Sequence, residues 1–221
     1  MSEFAQFFAL SFSALFPLIN PLGSSLVFLG MVGTSSASTY RTLARKIAIS
    51  TALFLLAIDV AGAALLKAFG ISLPVVQLAG GLVVAAMGWG LLNQKEAGPH
   101  DQAPVQTDSE ALRKKVFYPF TFPVTAGPGT LVVMLTLSAH ATKGRVVDIA
   151  LAQLGVLSGT ALMCCAVFIA YAYAPRITAK VSPSTAHGIL RVIAFVLLCI
   201  GVQIAWNGLS SLIGTLTFSG R

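Results

Sequence analysis

Two short segments of the chain, residues 16–24 and 122–130, combine helix-breaking residues with hydroxyl side chains inside long apolar runs. Proline has no N–H to donate and glycine adopts backbone angles that other residues avoid, so neither segment favours a continuous helix. A half-helix that starts within a membrane presents free N–H groups and a partial positive charge, which suit a carboxylate. The carbonyl groups that end the preceding half-helix suit an ammonium group or a cation. Two such breaks together would fit a zwitterion.

The candidate binding residues are those at the two breaks. They are Asn20, Pro21, Gly23, Ser24, Ser25, Thr125, Ala126, Gly127, Pro128, Gly129 and Thr130. We expect Ser24, Ser25 and Thr130 near the start of the following half-helix, where their hydroxyls cap it or donate hydrogen bonds. Proline and glycine also kink membrane helices without forming a site, which is the simpler interpretation of a single break.

The two segments are related by an internal repeat. An offset of 106 residues places Phe16-Pro17 on Phe122-Pro123 and Gly23 on Gly129, and both segments continue into an apolar run. The recurrence of a helix-breaking motif at one register favours a duplication, and with it a substrate or ion site formed by both breaks.

The composition indicates which elements must position these residues. The chain has 221 residues, of which 56% are hydrophobic and 10% charged, and its mean hydropathy is +0.86. An ordinary soluble domain carries about 25% charged residues, so a soluble globular protein is excluded. Six charge-poor runs are long enough to cross a membrane, at residues 4–33, 47–66, 73–92, 116–139, 146–174 and 189–216. Their continuous apolar character predicts helices rather than the alternating strands of a membrane barrel.

These runs predict a single transmembrane domain made of two halves. Repeat 1 covers residues 4–92, a polar linker covers 93–115 and repeat 2 covers 116–216. Each half has three crossings, an odd number, so the halves enter the membrane from opposite sides and form inverted repeats. Inverted repeats with matching Gly/Pro breaks are the best sequence indication of a transporter site near the bilayer midplane.

The loop cations predict the orientation. One side of the predicted topology holds 9 Lys and Arg residues and the other holds 4, with Arg191 left out because it opens the sixth run. The richer side, which includes the linker, is then cytoplasmic and both termini are periplasmic. The N-terminus carries Glu3 and no cation, so it lacks the positive start of a signal peptide, and we expect the first apolar segment to be retained.

Outside the breaks, Asp59 is the residue that could take part in ion coupling. It lies within the second apolar run, where an ionisable group is costly and is by default a functional candidate. The simpler interpretation is an aspartate near the outer third of the membrane that reaches water or a backbone donor. Coupling would involve H⁺ or Na⁺, and the sequence does not distinguish the two.

Other chemistry finds no support in the sequence. No metal-ligand spacing, nucleophile motif or phosphate-binding loop is present, and the cations are scattered over loops, so we predict neither an enzyme, nor a metal or cofactor site, nor nucleic-acid binding.

The sequences of residues 16–23 and 122–129, with residues 69–74, Ala79-Gly80-Gly81 and Val202-Gln203, resemble the signatures of the MarC family of bacterial inner-membrane proteins. The likeness spans nearly the whole chain. It implies a six-helix protein of that family's neutral amino acid transporter group (SnatA-like), with discontinuous first and fourth helices. The family's site then carries over to Asn20, Pro21, Gly23, Thr125 and the segment Gly127-Pro128-Gly129.

We therefore expect a secondary transporter of small neutral amino acids such as glycine and alanine, working by alternating access in the bacterial inner membrane. Its partners are the amino acid and the lipid bilayer, and the oligomeric state stays open. A passive channel for a small anion or solute is the first alternative, because opposed helix N-termini also suit a conduction path. A non-transporting membrane scaffold is the second.

Overall fold

The computed structural model describes residues 2–33, 35–93, 112, 114–142, 145–180 and 183–218. Its elements, numbered in chain order, are α1 (Glu3–Ile19), α2 (Pro21–Val32), α3 (Ala37–Ala68), α4 (Leu73–Leu92), α5 (Val116–Thr125), α6 (Pro128–Ala141), α7 (Val146–Ala172), α8 (Ala174–Lys180) and α9 (Pro183–Phe218). α5 is irregular, because Tyr118 and Phe122 have extended backbone angles within it. The described chain is all helical, which confirms the predicted fold class, whereas residues 94–111 of the predicted linker lie outside the described residues.

The protein is a multi-pass membrane protein. Five spans are long and apolar enough to cross a bilayer, and the bent pair α5–α6 supplies a sixth if it is counted as one span. The spans agree with the six apolar runs of the sequence, except that α3 begins ten residues before the predicted start at residue 47. The extension follows from Ser36, whose hydroxyl caps the helix by accepting from the N–H of Thr39 at 3.2 Å.

Both predicted discontinuities are present, but they differ in geometry. α1 and α2 continue as one span, Glu3–Val32, across a break of one residue. α5 and α6 meet at an angle of 74° across Ala126 and Gly127. Both breaks are followed by a proline, but the segments before them differ. α5 contains two prolines and two extended residues, whereas α1 contains one proline, Pro17, and stays helical.

Small residues bring the helices into close contact, as in many membrane bundles. A Cβ atom on Gly81 would meet the backbone of Gly201 and Ala205, and one on Gly88 would meet that of Ala194 and Leu198. Later residues of α4 thus contact earlier residues of α9, so these two helices are antiparallel. The contacts of α1 with α7 have the opposite pattern.

On α7, Gly155 faces Phe4 and Phe8, whereas Gly159 faces Phe8 and Phe12. α1 and α7 are therefore parallel. Parallel first and fifth crossings, with antiparallel third and sixth crossings, are the directions that six successive crossings require. These helix directions agree with two inverted halves, and the inversion itself stays a prediction.

The core is aromatic where the two halves meet. Phe28 of α2 stacks on Tyr171 of α7 with ring centroids 4.5 Å apart, and it contacts Phe120 of α5 and Tyr40 of α3 edge-on at 5.3 and 5.8 Å. All four rings are fully buried. Large apolar residues on other faces stay exposed, including Val60, Trp89 and Trp206, as expected where a helix faces lipid.

Candidate functional site

Asn20 alone forms the first break. Its backbone lies in the left-handed region, with φ 44° and ψ 69°. Its N–H donates to the carbonyl of Phe16 at 2.8 Å, which ends α1, and its side-chain Oδ1 accepts from the N–H of Gly23 at 3.0 Å, which caps α2. The Asn20 carbonyl accepts from the N–H and the hydroxyl of Ser24, both at 2.8 Å. One residue therefore serves both half-helices.

The expectation that glycine supplies the unusual backbone angles at the breaks is wrong. Asn20 is the only non-glycine residue with positive φ in the described ranges, whereas Gly23 and Gly129 are helical and Gly127 has φ −81°. Asparagine tolerates the left-handed region better than most residues because its short amide bonds to nearby backbone, as it does here.

The glycines at the breaks provide space instead. A Cβ atom on Gly129 would meet the side chains of Leu18 and Val84, the former at 3.0 Å. A Cβ atom on Gly127 would have more room, 3.3 Å from the carbonyl oxygen of Pro123. The contact with Leu18 places the start of α6 directly against the end of α1, so the two breaks are neighbours.

The second break is preceded by a tandem pattern in α5. Residues 118–121 and 122–125 each read aromatic, proline, apolar, threonine. Thr121 donates its hydroxyl hydrogen to the carbonyl of Val116 at 2.9 Å, and Thr125 donates to that of Phe120 at 2.6 Å. Both bonds reach back five residues, so threonine hydroxyls supply hydrogen bonds in a segment where two prolines have no N–H.

Tyr171, near the end of α7, joins the two breaks. Its hydroxyl lies 2.8 Å from the hydroxyl of Thr125 and also interacts with the side chain of Ser24. The residue is fully buried. Tyr171 was not predicted as a site residue, although a buried tyrosine in an apolar helix usually finds a polar partner for its hydroxyl, and that requirement is a usable signal.

Most of the predicted site residues are packed away from solvent. Those that are buried are Pro21, Ser24, Ser25, Thr125, Ala126, Gly127, Gly129 and Thr130. Asn20 and Gly23 are half-buried, and Pro128 is exposed. The expected hydroxyl donors behave as such on α2, because Ser24 and Ser25 donate to the carbonyls of Asn20 and Leu22.

Thr130 differs from these serines. It lies in the first turn of α6, and its buried hydroxyl has no hydrogen-bond partner within the described part of the chain. It is thus a polar group beside the second break that is free to bind something else.

Asp59 forms a second polar cluster, apart from the breaks. It is 5% exposed, and Oδ2 accepts a hydrogen bond from the side-chain amide of Gln153 on α7. Ser138 of α6 donates its hydroxyl hydrogen to the Asp59 backbone carbonyl at 2.8 Å. Oδ1 is buried and has no partner among the residues that the structure describes. The carboxylate reaches a side-chain amide rather than the water or backbone donor of the simpler interpretation.

Asp59 contacts a different part of α7 from the one that carries Tyr171. Gln153 and Tyr171 are separated by 18 residues of α7, which corresponds to about 27 Å of helix. The structure therefore does not bring Asp59 to the breaks. Any coupling between them could pass along α6, which begins at the second break and contacts Asp59 through Ser138, or along α7 through Gln153.

The comparisons with known proteins agree over nearly the full length. The family described as MarC family integral membrane protein matches residues 5–213. The "UPF0056 membrane protein YvbG" of Bacillus subtilis is 28% identical over 210 residues, which cover 93% of this chain and 95% of the relative. The "UPF0056 inner membrane protein MarC" of Citrobacter koseri is 27% identical over 224 residues, which cover 97% and 99%. No solved structure matches the chain.

Proposed function

The chain belongs to the MarC family of integral membrane proteins, and from that membership we propose that it is a secondary transporter of small neutral amino acids such as glycine and alanine. The observation that carries the proposal is the junction of two broken helices, one from each half of the chain, at the buried hydroxyl of Tyr171. A continuous helix needs no such junction. Backbone that breaks at membrane depth is tolerated where protein or a cavity satisfies it, so the breaks favour a binding role.

The depth of the first break supports this proposal. Asn20 lies 17 residues from one end of the span Glu3–Val32 and 12 residues from the other, or about 26 and 18 Å along the helix axis. The break is therefore well inside the hydrocarbon. The starts of α2 and α6 each bring a partial positive charge to that depth, which suits the carboxylate of an amino acid.

The small volume at the breaks supports a small substrate. Gly129 packs against Leu18 and Val84 without room for a methyl group, and Gly127 has a backbone carbonyl 3.3 Å from its Cβ direction. Backbone groups and the hydroxyl of Thr130 would bind the charged ends common to all amino acids. Ser24 and Thr125 already donate their hydroxyl hydrogens within the protein, so they would contribute their oxygens as acceptors. A side chain larger than that of alanine would have to displace packed residues.

We place the protein in the bacterial inner membrane, following the description of its Citrobacter koseri relative as an inner membrane protein. Both termini then lie in the periplasm, because the cation-rich start of α3, with Arg41, Arg45 and Lys46, and α8, with Arg176, face the cytoplasm. Asp59 is the candidate for H⁺ or Na⁺ coupling, since its Oδ1 is buried and has no partner among the residues described.

The experiment that tests the proposal is counterflow of labelled alanine and glycine into proteoliposomes loaded with unlabelled substrate, without an ion gradient. Saturable accumulation of label supports a carrier. Equilibration without accumulation would contradict it and favour a channel. The absence of any flux across a panel of neutral amino acids, in protein shown to be folded, would favour a scaffold.

A further inference from the structure

A small cleft lies between the start of α3 and the junction of α7 with α8. Its volume is about 190 Å³, and Ser35, Tyr40, Arg41, Tyr173 and Arg176 are among the residues that line it. The guanidinium carbons of Arg41 and Arg176 each lie 5.7 Å from the centre of the Tyr173 ring. One aromatic ring therefore holds two cations at the mouth of one cleft.

These positive charges have no acidic partner in the described ranges. The ion pair that the described residues form joins Arg145 to Asp148 at the other end of α7. The first turn of α3 carries no acidic residue, although the start of a helix is positive and favours one. Arg41 adds to that positive charge instead of offsetting it. An anion in the cleft would compensate the charges of Arg41 and Arg176 and the positive start of α3.

We propose that this cleft binds a phosphate group, as the headgroup of an anionic lipid or as a free phosphate ion. Guanidinium groups form paired, charge-assisted hydrogen bonds with phosphate oxygens, and a planar ring below them restricts their orientation. The cleft is also large enough for a phosphate group. Its volume of about 190 Å³ is several times the volume that one water molecule takes up in the liquid, about 30 Å³. Arginine and tyrosine side chains at the end of a membrane span lie at the depth of the lipid headgroups, where the phosphate groups are.

The site is distinct from the one proposed for the amino acid. No residue of the breaks lines the cleft. A bound phosphate would bridge α3 to α8, and Tyr40, which lines the cleft, packs edge-on against Phe28 of the aromatic core. Binding should therefore stabilise the folded protein, whether or not it transports amino acids.

The test is thermal unfolding of the purified full-length protein in an uncharged detergent at constant ionic strength. The additions are phosphatidylglycerol, phosphatidylcholine with the same acyl chains, and inorganic phosphate. We expect phosphatidylglycerol to raise Tm by about 3 °C and phosphatidylcholine to leave it unchanged. If inorganic phosphate alone gives the same rise, the ligand is the free ion; if it gives none, the ligand is the lipid headgroup.

Matched variants show whether the effect belongs to the cleft. Arg41→Gln and Arg176→Gln should each lose the rise in Tm, whereas Arg45→Gln, an exposed cation one turn further along α3, should keep it. An equal loss in Arg45→Gln would mean general attraction to charge and would overturn the proposal. So would the absence of a rise in the wild-type protein, a result that does not depend on whether any variant folds.

Discussion

The hydroxyl of Tyr171 lies 2.8 Å from the hydroxyl of Thr125, 46 residues earlier in the chain, and both side chains are fully buried. Thr125 also donates to the carbonyl of Phe120, so its oxygen is shared between its own segment and α7. Tyr171 in turn interacts with Ser24 in the other half. A single tyrosine thus lies between both broken helices, with its hydroxyl bonded to Thr125 of α5 and its ring stacked on Phe28 of α2.

Removing that hydroxyl should weaken the junction without opening a large cavity. We expect Tyr171→Phe to lower the free energy of unfolding by about 1 kcal/mol, the net contribution of a hydrogen bond. We also expect it to reduce the rate of alanine counterflow about fivefold, the factor that a loss of about 1 kcal/mol in the rate-limiting state produces. Tyr173→Phe is the matched control, because that residue is partly exposed and lies outside the junction. Equal counterflow in the two variants would contradict a role for Tyr171.

The first break should depend on the amide of Asn20. Asn20→Ala loses the cap on α2 and leaves a Cβ atom in the left-handed region, so we expect a loss of stability of about 2 kcal/mol. Asn20→Gly loses the same cap but relieves the backbone, and it should be less destabilising than alanine. Thermal unfolding of both variants measures the order. A glycine variant less stable than the alanine variant would show that the backbone angle is not what selects Asn20.

Substitutions at the two glycines of the second break should distinguish effects on folding from effects on substrate binding. Gly129→Ala places a methyl group against Leu18 and Val84, and we expect it to destabilise the protein by about 1 to 3 kcal/mol. Gly127→Ala has an ordinary backbone angle and a nearest contact of 3.3 Å, which a small shift relieves, so it should be less destabilising than Gly129→Ala. Gly127→Leu should then remain folded in the membrane but abolish counterflow. Normal counterflow by Gly127→Leu would remove this segment from the proposed site.

Asp59 should matter for driven transport and not for exchange. Asp59→Asn can keep the hydrogen bond from Gln153 through its carbonyl oxygen but cannot take up a proton or compensate a cation. We expect it to abolish uptake driven by a proton or sodium gradient while counterflow continues. Gradient-driven uptake with unchanged pH dependence in this variant would exclude Asp59 from coupling.

The proposed orientation can be tested by labelling introduced cysteines with a membrane-impermeant maleimide in intact cells, after Cys164, Cys165 and Cys199 are replaced by serine. Ser2→Cys and Thr142→Cys should be labelled from the periplasm, because they flank α1 and α6 at their predicted outer ends. Ser36→Cys, before α3, should be labelled only after the cells are opened. The reverse pattern would invert the topology.

The sequence determined the class of the protein, because apolar runs of membrane length leave no other fold that satisfies the backbone within lipid. It also located both breaks, since proline and glycine act on the local backbone and their effect is readable from the chain. It did not show that the breaks differ, with one residue at the first and a 74° bend at the second.

The tertiary structure alone decided which distant groups meet. Tyr171 has no marker in the sequence that connects it to Ser24 or Thr125, and Asp59 gives no sign that its partner is Gln153, 94 residues away. The same holds for Arg41 and Arg176, which share one ring only because α3 and α8 pack together. Local backbone conformation is determined by neighbouring residues, whereas hydrogen bonds between helices depend on the packing of the whole chain.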